Sequence, residues 1–519
     1  MSTNIILHYS KSSEYSESGF LKTVQSIFDQ TNRDFEVSIL SDKDSSGVLK
    51  SIEDINTESL KVSFINVGEE DPLSVQLNKA MKGSGAKYHL YLDNRTQELF
   101  LKKSALDLYT LAATNNKTTG FIYSDYELLE GEEVKEVHLL KHHIGRVRDN
   151  QDYGKAVFLK KEALESCGYL DENVKHNAIY DLRLKISENY EITHISNRYA
   201  GSLFQVVAQS KTHNVFDYLM ASKDSQLEAE NVLSGHLKRI GGYLEPGAHY
   251  SNRPSSDQNA TLKASVIIPV NNRPRFICEA IESVQAQTVN EVEVVVVVNG
   301  GDNDPTIESV KKYLPGGEKY DPAKPGVQLL VHDLNNLGLC FNMGAKSAKG
   351  QYYVQLDSDD RLKPDAVEKI LAVYDSDPKI GMVIGSYEVW EKQENGEITR
   401  MEELPVVTHD EWTEENGRNN LLRIGGAGAP RSIPISLIKN IGFSVNEEPF
   451  ARNYGEDYQM VMRVSEQHRI GRVWDAIYEV IRHEGGTDHS IDQATIDRND
   501  EAKDHMRKES ILRRIKLNK

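Results

Sequence analysis

Three acidic side chains stand close together at Asp357, Asp359 and Asp360, directly after the strand-like segment 351–356. Carboxylates crowded at one strand end repel one another, so a partner of opposite charge is expected beside them. A divalent cation with hard oxygen ligands, carrying a diphosphate, would fill that role. A polar turn leading into a helix begun by Pro364 explains the same residues about as well. The motif alone leaves both interpretations open.

A second acidic pair, Glu456 and Asp457, comes directly before the helical pattern of Met460, Val461 and Val464. Acidic side chains at a helix N-terminus interact favourably with the helix dipole, so capping explains the pair. The chemical alternative is a general base that takes the proton from an attacking hydroxyl. On its own, the pattern favours capping.

A histidine, His483, follows the strand-like segment 476–481. An imidazole at a strand end could complete a metal site of mixed oxygen and nitrogen ligands. A lone histidine is more often an ordinary surface or hydrogen-bonded residue, and its sequence neighbours do not decide between the two.

The elements that must position these residues are strands alternating with helices. In the second half of the chain, the short apolar strand at 266–268 precedes an amphipathic helix from Ile277 to Val284 and an unbroken valine run at 294–298. A continuous β-branched run predicts a strand buried on both faces, and the alternation predicts a parallel α/β sheet. Ligands of such sheets bind at the carboxyl ends of the strands.

The chain also contains a weak internal duplication. Residues 20–37 align without gaps with residues 277–294. The shared positions are Ser26/Ser283, Gln30/Gln287, Thr31/Thr288, Glu36/Glu293 and Val37/Val294. Self-similarity of this kind indicates that one ancestral domain is used twice.

The length of 519 residues predicts two or three globular units, at roughly 100–200 residues per domain. We place the boundaries as a first α/β domain at 1–205, a helical linker at 206–261, a second α/β domain at 262–490 and a basic C-terminal helix at 491–519. The fold class predicted is α/β, with two Rossmann-like, mostly parallel sheets. The basic tail could rest on an anionic membrane face, or pack on its own domain as a solvated helix.

Composition excludes several classes of protein. The three cysteines form no C-x-x-C pair, so disulfides and a zinc cage are not expected, and a reducing compartment fits best. The start of the chain lacks the features of a signal peptide, and no run of about 18 apolar residues occurs. A formal net charge of −18 disfavours binding to a nucleic-acid backbone. We therefore predict a cytoplasmic protein without a nucleic-acid partner.

In their order along the chain, these motifs resemble those of the family 2 inverting glycosyltransferases of the GT-A fold, over about residues 265–489. The sequence departs from the family at Asn271, Asn299 and Phe341, which replace an aromatic residue, an aspartate and an arginine. The resemblance implies contacts with a nucleotide-sugar donor from Pro269, Asn271, Asn272, Arg273, Asn299, Asn336, Asn342, Asp357 and Ser358. It also implies an acceptor-side wall formed by Gly425, Gly426 and Ala427.

The same resemblance assigns roles to the acidic residues and the histidine. It implies that Asp359 and His483 hold Mn²⁺ or Mg²⁺, that Asp457 is the general base, and that Glu456 orients the sugar or the acceptor. The implied reaction is a metal-assisted single displacement that moves a sugar from a UDP- or GDP-linked donor to an acceptor hydroxyl, with inversion. A two-active-site glycan polymerase and a non-catalytic scaffold that binds nucleotide-sugars or glycans stay open as alternatives.

By family, the acceptor would be a glycan or a lipid-linked glycan, as in polysaccharide biosynthesis. The basic tail leaves peripheral contact with the cytoplasmic face of a membrane open, and the sequence is compatible with a homo-oligomer. The first copy departs from the pattern, since Arg95 stands at the position of Asp359 and Tyr180-Asp181 replace Glu456-Asp457. Loss of the metal carboxylate predicts a degenerate copy that binds acceptor, a partner or the second domain.

Overall fold

A computed structural model gives the fold of this chain. It describes residues 2–11, 13, 15–43, 45–56, 59–197, 202–208, 222–255, 260–393, 396–410, 412–426, 428–445, 447, 454–483 and 492–519. The chain divides into two compact units, unit 1 over Met1–Gly241 and unit 2 over Gly242–Lys519. Each unit is built around its own mostly parallel sheet with helices packed against it.

The strands of unit 1 are β1 (Thr3–Tyr9), β2 (Phe35–Ser41), β3 (Val62–Asn66), β4 (Tyr88–Leu92), β5 (Leu99–Leu101), β6 (Thr119–Ser124), β7 (Tyr126–Glu130), β8 (Glu133–Val137), β9 (Ala156–Lys160), β10 (Glu191–Ile195) and β11 (Phe204–Val207). The main sheet has the order β10-β6-β9-β4-β1-β2-β3, and a smaller sheet has the order β5-β11-β7-β8. Within the main sheet, only β9 runs antiparallel to its neighbours among the described strands.

The helices of unit 1 are α1 (Glu17–Phe28), α2 (Ser46–Ile55), α3 (Leu73–Gly83), α4 (Ala105–Asn115), α5 (Lys161–Ser166), α6 (Ala178–Ser187) and α7 (Lys223–Ile240). Helix α1 shows why they form: Ser16 caps it by accepting the N–H of Gly19, and its apolar stripe of Phe20, Val24 and Ile27 is buried against the sheet.

The described part of the segment predicted as a linker, 206–261, divides between the two units. Helix α7 belongs to unit 1, where Glu228 accepts backbone N–H groups at the start of α6 from Lys175, His176 and Asn177, at 2.7 to 2.8 Å. Residues from Gly242 onward belong to unit 2. Residues 209–221 and 256–259 of the predicted linker lie outside the described residues.

The strands of unit 2 are β12 (Leu262–Val270), β13 (Val292–Val298), β14 (Gly326–Val331), β15 (Gly350–Gln355), β16 (Arg361–Leu362), β17 (Ile380–Lys392), β18 (Ile398–Arg400), β19 (Arg431–Pro434) and β20 (Arg469–Arg482). Its helices are α8 (Ile277–Gln285), α9 (Thr306–Lys311), α10 (Leu337–Ser347), α11 (Ala366–Ser376), α12 (Gly417–Asn420), α13 (Ile435–Ile441), α14 (Glu456–Gln467) and α15 (Gln493–Leu517). Residues 294–298 of β13 are fully buried, as the unbroken valine run predicts.

The sheet of unit 2 repeats the order of unit 1. Its strands lie in the order β14-β13-β12-β15-β19-β17-β20-β16, with β18 paired to β17. The first seven correspond to β3-β2-β1-β4-β9-β6-β10, including an antiparallel strand, β19, between β15 and β17. The predicted α/β fold class, with two domains that each contain a mostly parallel sheet, is confirmed.

Equivalent residues of the two copies make equivalent hydrogen bonds. Gln30 and Gln287 each follow the first helix of their unit, and the side-chain amides donate to the carbonyls of Lys102 and Lys363, both at 2.8 Å. These bonds tie the helix end to the residue that directly follows the fifth strand, β5 in unit 1 and β16 in unit 2. Ser26 and Ser283 also correspond, since each accepts the backbone N–H of the last residue of the fifth strand. Asn78 and Asn342 each donate to a backbone carbonyl shortly after a later helix, that of Leu170 after α5 and of Phe443 after α13.

The basic tail forms helix α15, and part of its surface is buried in unit 2. Met506 and Ile511 are almost fully buried, and Arg514 donates to the backbone carbonyl of Arg418 at 2.7 Å. Arg513 pairs with Glu466 of α14 at 2.9 Å. The face with these residues packs on its own unit, the second of the two interpretations. Among the described residues, no helix combines the length and hydropathy needed to cross a membrane.

Candidate active site

The carboxyl ends of β12 and β13 form one corner of the candidate site. Asn271, Asn272 and Arg273 follow β12 directly, and the backbone N–H of Asn272 donates to the carboxylate of Asp304 at 2.8 Å. The N–H of Arg273 donates to the hydroxyl of Thr306 at 2.9 Å. Asn272 has a φ of 51°, a left-handed conformation that these loop contacts hold in place. Pro269 lies inside β12, paired in register with a residue of β13.

The side chain of Asn299 is buried at the end of β13 with one polar atom unused. Its Nδ2 donates to Asn335 Oδ1 at 3.3 Å and to Cys340 Sγ at 3.4 Å. Its Oδ1 has no hydrogen-bond donor among the described residues. A buried acceptor left unsatisfied costs about 1–3 kcal/mol, so an N–H of a bound ligand would be favoured there.

Asp359 and His483, both predicted metal ligands, meet in the structure. His483 Nε2 lies 3.0 Å from Asp359 Oδ2, although 124 residues separate them in sequence. The imidazole is 7% exposed and stacks on the ring of Phe276, with the ring centroids 4.2 Å apart. A carboxylate oxygen and an imidazole nitrogen held this close fit a mixed-ligand divalent cation.

Asp360 has a structural role within the acidic motif. Its carboxylate accepts the Tyr478 hydroxyl and the Ile481 backbone N–H of β20, both at 2.8 Å. Burial, with the nearby charge of Asp357, raises the pKa of Asp360 well above its usual range. These bonds fasten the motif to β20 and so bring Asp359 to His483. Ser358 lies buried in the same turn.

Arg431, at the start of β19, links the acidic motif to the second acidic pair. Its Nη2 lies 2.6 Å from Asp457 Oδ2, and its Nε donates to Gln355 Oε1 at 3.3 Å. Burial raises the pKa of Asp357, and the positive charge of Arg431 opposes that rise. Three stretches distant in sequence therefore converge at the carboxyl edge of the sheet.

Two neighbouring carboxylates at the start of α14 have different electrostatic environments. Burial raises the pKa of Glu456 to about 7, and the charge of Asp457 adds to that rise. Burial also disfavours ionisation of Asp457, but the positive charges of Arg431 and Lys503 outweigh it and lower its pKa. Asp457 is therefore held as a carboxylate, whereas Glu456 titrates near neutral pH.

The predicted acceptor-side wall lies beside the same helix start. The backbone carbonyl of Gly425 accepts the Lys503 ammonium of α15 at 2.8 Å. A Cβ on Gly426 would lie 3.8 Å from the ring of Tyr458, the residue after Asp457. Ala427, the third predicted wall residue, lies outside the described residues.

Two residues predicted to contact the donor, Asn336 and Asn342, instead direct their side-chain amides to the protein backbone. Asn336 caps α10 by accepting the Leu339 N–H at 2.8 Å. Asn342 makes a reciprocal pair with the backbone of Phe443, donating to its carbonyl and accepting its N–H, both at 2.9 Å. In the described structure, these amides position loops around the site.

Sequence reasoning missed Arg431, Lys503 and Phe276. Each reaches the site from an element that carries no recognisable motif: the strand β19, the C-terminal helix and the turn before α8. Their roles depend on which elements lie side by side, and a single sequence carries no signal for that.

The site as a whole has an excess of negative charge. The site holds five carboxylates, Asp357, Asp359, Asp360, Glu456 and Asp457, and two cations that act on Asp457, Arg431 and Lys503. Burial is the largest cause of the raised pKa values of Asp357, Asp360 and Glu456, and the charge of a neighbouring carboxylate adds to each rise. The arrangement can accept a cation and a proton at adjacent positions.

Comparisons with known proteins place unit 2 in context. Residues 265–426 match the model of a family described as Glycosyl transferase family 2. A chondroitin synthase of Escherichia coli is 28% identical over 139 residues, which are 26% of this chain and 19% of that protein. A hyaluronan synthase of Pasteurella multocida is 34% identical over 125 residues, 24% of this chain and 12% of that protein.

Among solved structures, the chain is similar to TarS 1–349 of S. aureus in complex with UDP-GlcNAc, with 14% sequence identity and a TM-score of 0.35. The match covers 46% of this chain and 66% of the TarS chain. The chain spans less than a fifth of the length of the two synthases that it matches.

Proposed function

We propose that unit 2 moves a sugar from a nucleotide-sugar donor to a hydroxyl of a glycan or glycolipid acceptor, with inversion. The match of residues 265–426 to the family 2 glycosyltransferase model supports a transferase. The donor would carry UDP or GDP. Glycan assembly is in keeping with the chondroitin and hyaluronan synthases that the chain resembles over part of its length.

The observation that carries the proposal is the 3.0 Å approach of His483 Nε2 to Asp359 Oδ2, beside the pair formed by Arg431 and Asp457. A displacement at a diphosphate-activated sugar needs a cation site and a general base. The carboxylate and imidazole at this sheet edge fit the first, and the acidic pair at the start of α14 fits the second. Because these residues come from separate elements, the convergence is not explained by local turn or capping preferences.

Asp359 and His483 are the residues that would hold a divalent cation, Mn²⁺ or Mg²⁺. The closeness of three carboxylates, Asp357, Asp359 and Asp360, whose charges oppose one another's ionisation, supports that assignment. When bound, the cation supplies positive charge that stabilises the departing nucleoside diphosphate. The protein contributes the orientation, since Asp360 holds the turn against β20 and Phe276 holds the imidazole ring.

Asp457 would accept the proton of the attacking acceptor hydroxyl. Its carboxylate is kept ionised by Arg431, and the residue after it, Tyr458, lies against Gly426 of the predicted acceptor-side wall. The hydroxyl oxygen forms the new bond to the anomeric carbon as the bond to the diphosphate oxygen breaks. Glu456 would orient the sugar or the acceptor.

The donor's base and ribose would lie at the ends of β12 and β13. The unused Oδ1 of Asn299 could accept an N–H of the base, and the exposed loop of Asn271 and Asn272 could line the ribose. Asp357 and Ser358 would face the diphosphate or the sugar. Asn336 and Asn342 would act by fixing the loops that surround the donor.

The competing functions are a two-site glycan polymerase and a scaffold that binds nucleotide-sugars or glycans without reaction. Loss of the metal carboxylate at Arg95 in unit 1 disfavours the polymerase. A pure binder has no use for a carboxylate such as Asp457 at the acceptor wall. Peripheral contact of this chain with a membrane face, and association with a second copy, are both compatible with transfer to a glycan or glycolipid acceptor.

A panel of UDP- and GDP-sugars tests the function. Thermal stabilisation is recorded with Mn²⁺, with Mg²⁺ and with EDTA, because a ligand that binds the folded state raises its stability. The proposal expects at least one donor to stabilise the chain only with the cation, and to release its diphosphate when a glycan acceptor is added. Binding without any release in the presence of acceptors would instead favour the scaffold.

A further inference from the structure

Unit 1 has a polar cavity of about 440 Å³ at the carboxyl ends of β1, β2 and β3. Its lining includes Lys11, Asp42, Lys43, Phe64 and Asn66. Pockets that hold small molecules occupy roughly 300–1,000 Å³, and in parallel α/β sheets they lie at this edge. The cavity therefore has the size and the place of a ligand site.

The cavity corresponds in topology to the corner of unit 2 that contains Asn299. Asp42 follows β2 directly, as Asn299 follows β13, and the two strands have the same register against β1 and β12, with the pairs Tyr9/Ser41 and Val270/Val298 at the strand ends. By the same count, Lys11 lies where Asn272 lies in unit 2. In the first copy this corner carries two lysines, Lys11 and Lys43, beside the carboxylate of Asp42.

The loop that lines the cavity is held by Asp42. One carboxylate oxygen accepts the Ser10 hydroxyl at 2.7 Å, and the other accepts the Lys11 backbone N–H at 2.9 Å. Lys43 Nζ lies 3.8 Å from the centroid of the Tyr9 ring and has no carboxylate partner among the described residues. Lys11 pairs with the exposed Glu69 at 3.1 Å, a contact that solvent weakens. Both ammonium groups are available to an anion.

A third cation is fixed on the same sheet edge. Arg95 makes a two-pronged pair with Asp93, at 2.8 and 3.0 Å. The neighbouring Asn94 is tied to the backbone of His8 in β1 by two bonds of 2.8 Å. Arg95 occupies the sequence position of Asp359, so unit 1 carries a fixed guanidinium where unit 2 has a carboxylate.

From these observations we infer that unit 1 binds a nucleoside diphosphate in this cavity without a metal ion. Lys11 and Lys43 pair with the phosphates, and the ring of Phe64 packs on the base. The inference does not depend on the transfer activity proposed for unit 2, because it uses only residues of unit 1.

The lining favours a nucleotide over an acidic glycan. A base presents N–H donors, which the carboxylate of Asp42 and the amide oxygen of Asn66 can accept, and an aromatic face that suits Phe64. An acidic sugar also brings negative charge to the lysines, but it lacks a flat face edged with N–H donors for Phe64, Asp42 and Asn66. A ligand that is anionic at one end and carries a flat hydrogen-bond donor at the other matches this lining.

Calorimetric titration of the full chain with UDP and with GDP, in EDTA, tests the inference. EDTA removes the cation that donor binding in unit 2 is proposed to need. We expect one of the two nucleotides to bind, and Lys43→Glu to weaken that binding by about tenfold or more, because a charge-assisted contact is replaced by repulsion. The matched control, Lys22→Glu, reverses the charge of an exposed lysine of α1 and should leave the nucleotide affinity in EDTA unchanged.

Two further variants keep the test decisive. Lys11→Glu should weaken the EDTA-resistant binding as Lys43→Glu does, while Asp359→Ala in unit 2 should leave it intact. Sugar transfer by unit 2 with Mn²⁺ should survive Lys43→Glu, so the two proposals can fail separately. No nucleotide binding in EDTA, or binding that persists in folded Lys43→Glu and Lys11→Glu variants, would overturn the inference.

Discussion

Replacing Glu456 by glutamine should stabilise unit 2 increasingly as the pH rises. The side chain is 7% exposed at the start of α14, and burial raises its pKa from an ordinary 4.5 to about 7. Because the folded-state pKa is above the unfolded one, the folded state holds the proton more tightly. The stability that this group contributes is present below pH 4.5 and is lost as the pH rises through about 7.

The magnitude follows from these two pKa values. Ionised Glu456 lowers the free energy of unfolding by about 1 kcal/mol at pH ~5.5 and by about 3 kcal/mol at pH ~8.5, relative to its fully protonated form. Glutamine has the same shape and no charge to bury. The stability gained by Glu456→Gln should therefore grow by about 2 kcal/mol across that pH range.

Urea unfolding followed by tryptophan fluorescence measures this gain. All three tryptophans, Trp390, Trp412 and Trp474, lie in unit 2, so the signal reports on that unit. The measurement is made in EDTA, so that no cation offsets the carboxylate charge. Glu403→Gln, at an exposed position of the same unit, is the matched control and should give a difference that does not change with pH.

If the free energies of unfolding of Glu456→Gln and the wild type differed by the same amount at every pH, the burial of an ionisable group with a raised pKa at Glu456 would be contradicted. A gain that shrinks with rising pH would contradict it more strongly, because the sign would be wrong. Such a result would mean that Glu456 has a favourable partner, and the excess negative charge of the site would have to be reconsidered.

Other substitutions test the contacts around the site. Arg431→Met should reduce transfer at least about tenfold and lower the stability of unit 2 by about 1–3 kcal/mol, since the Asp457 carboxylate loses its partner at 2.6 Å; wild-type turnover would refute this. Asp359→Ala should abolish cation-dependent donor binding in calorimetry and leave the urea midpoint of unfolding nearly unchanged. Asp360→Ala should lower that midpoint, because it removes two buried hydrogen bonds. A lower midpoint for Asp359→Ala, with donor binding lost only in a stable Asp360→Ala variant, would exchange their roles. Asp93→Asn should leave sugar transfer intact, and a large loss would support a second active site in unit 1.

Much of the fold could be predicted from periodicity. The valine run at 294–298 is buried on both faces because it lies inside a parallel sheet, and the repeated Ser-Gln-Thr pattern makes the same loop contacts in both units. The prediction of a family 2 glycosyltransferase domain in the C-terminal half is also confirmed. The antiparallel strands β9 and β19 were not predicted, because no local pattern in the sequence gives a strand's direction.

The site was predictable only where a motif ends a strand or starts a helix. Asp359 and His483 were expected together, and their approach depends on Asp360 anchoring the turn to β20, which sequence alone does not reveal. Arg431 sits at the start of a short antiparallel strand and Lys503 on the C-terminal helix. Their influence on Asp457 arises from tertiary packing, for which spacing along the chain gives no signal.

The rate of sugar transfer by Asp457→Asn, measured beside its donor affinity, tests the proposed mechanism most directly. Asparagine keeps the shape of the side chain but cannot take a proton at neutral pH. The expected result is donor binding close to that of the wild type with transfer reduced at least about a hundredfold, the usual range for loss of a general base. Unchanged turnover with normal donor binding would show that Asp457 is not the base and that the acceptor proton leaves by another route.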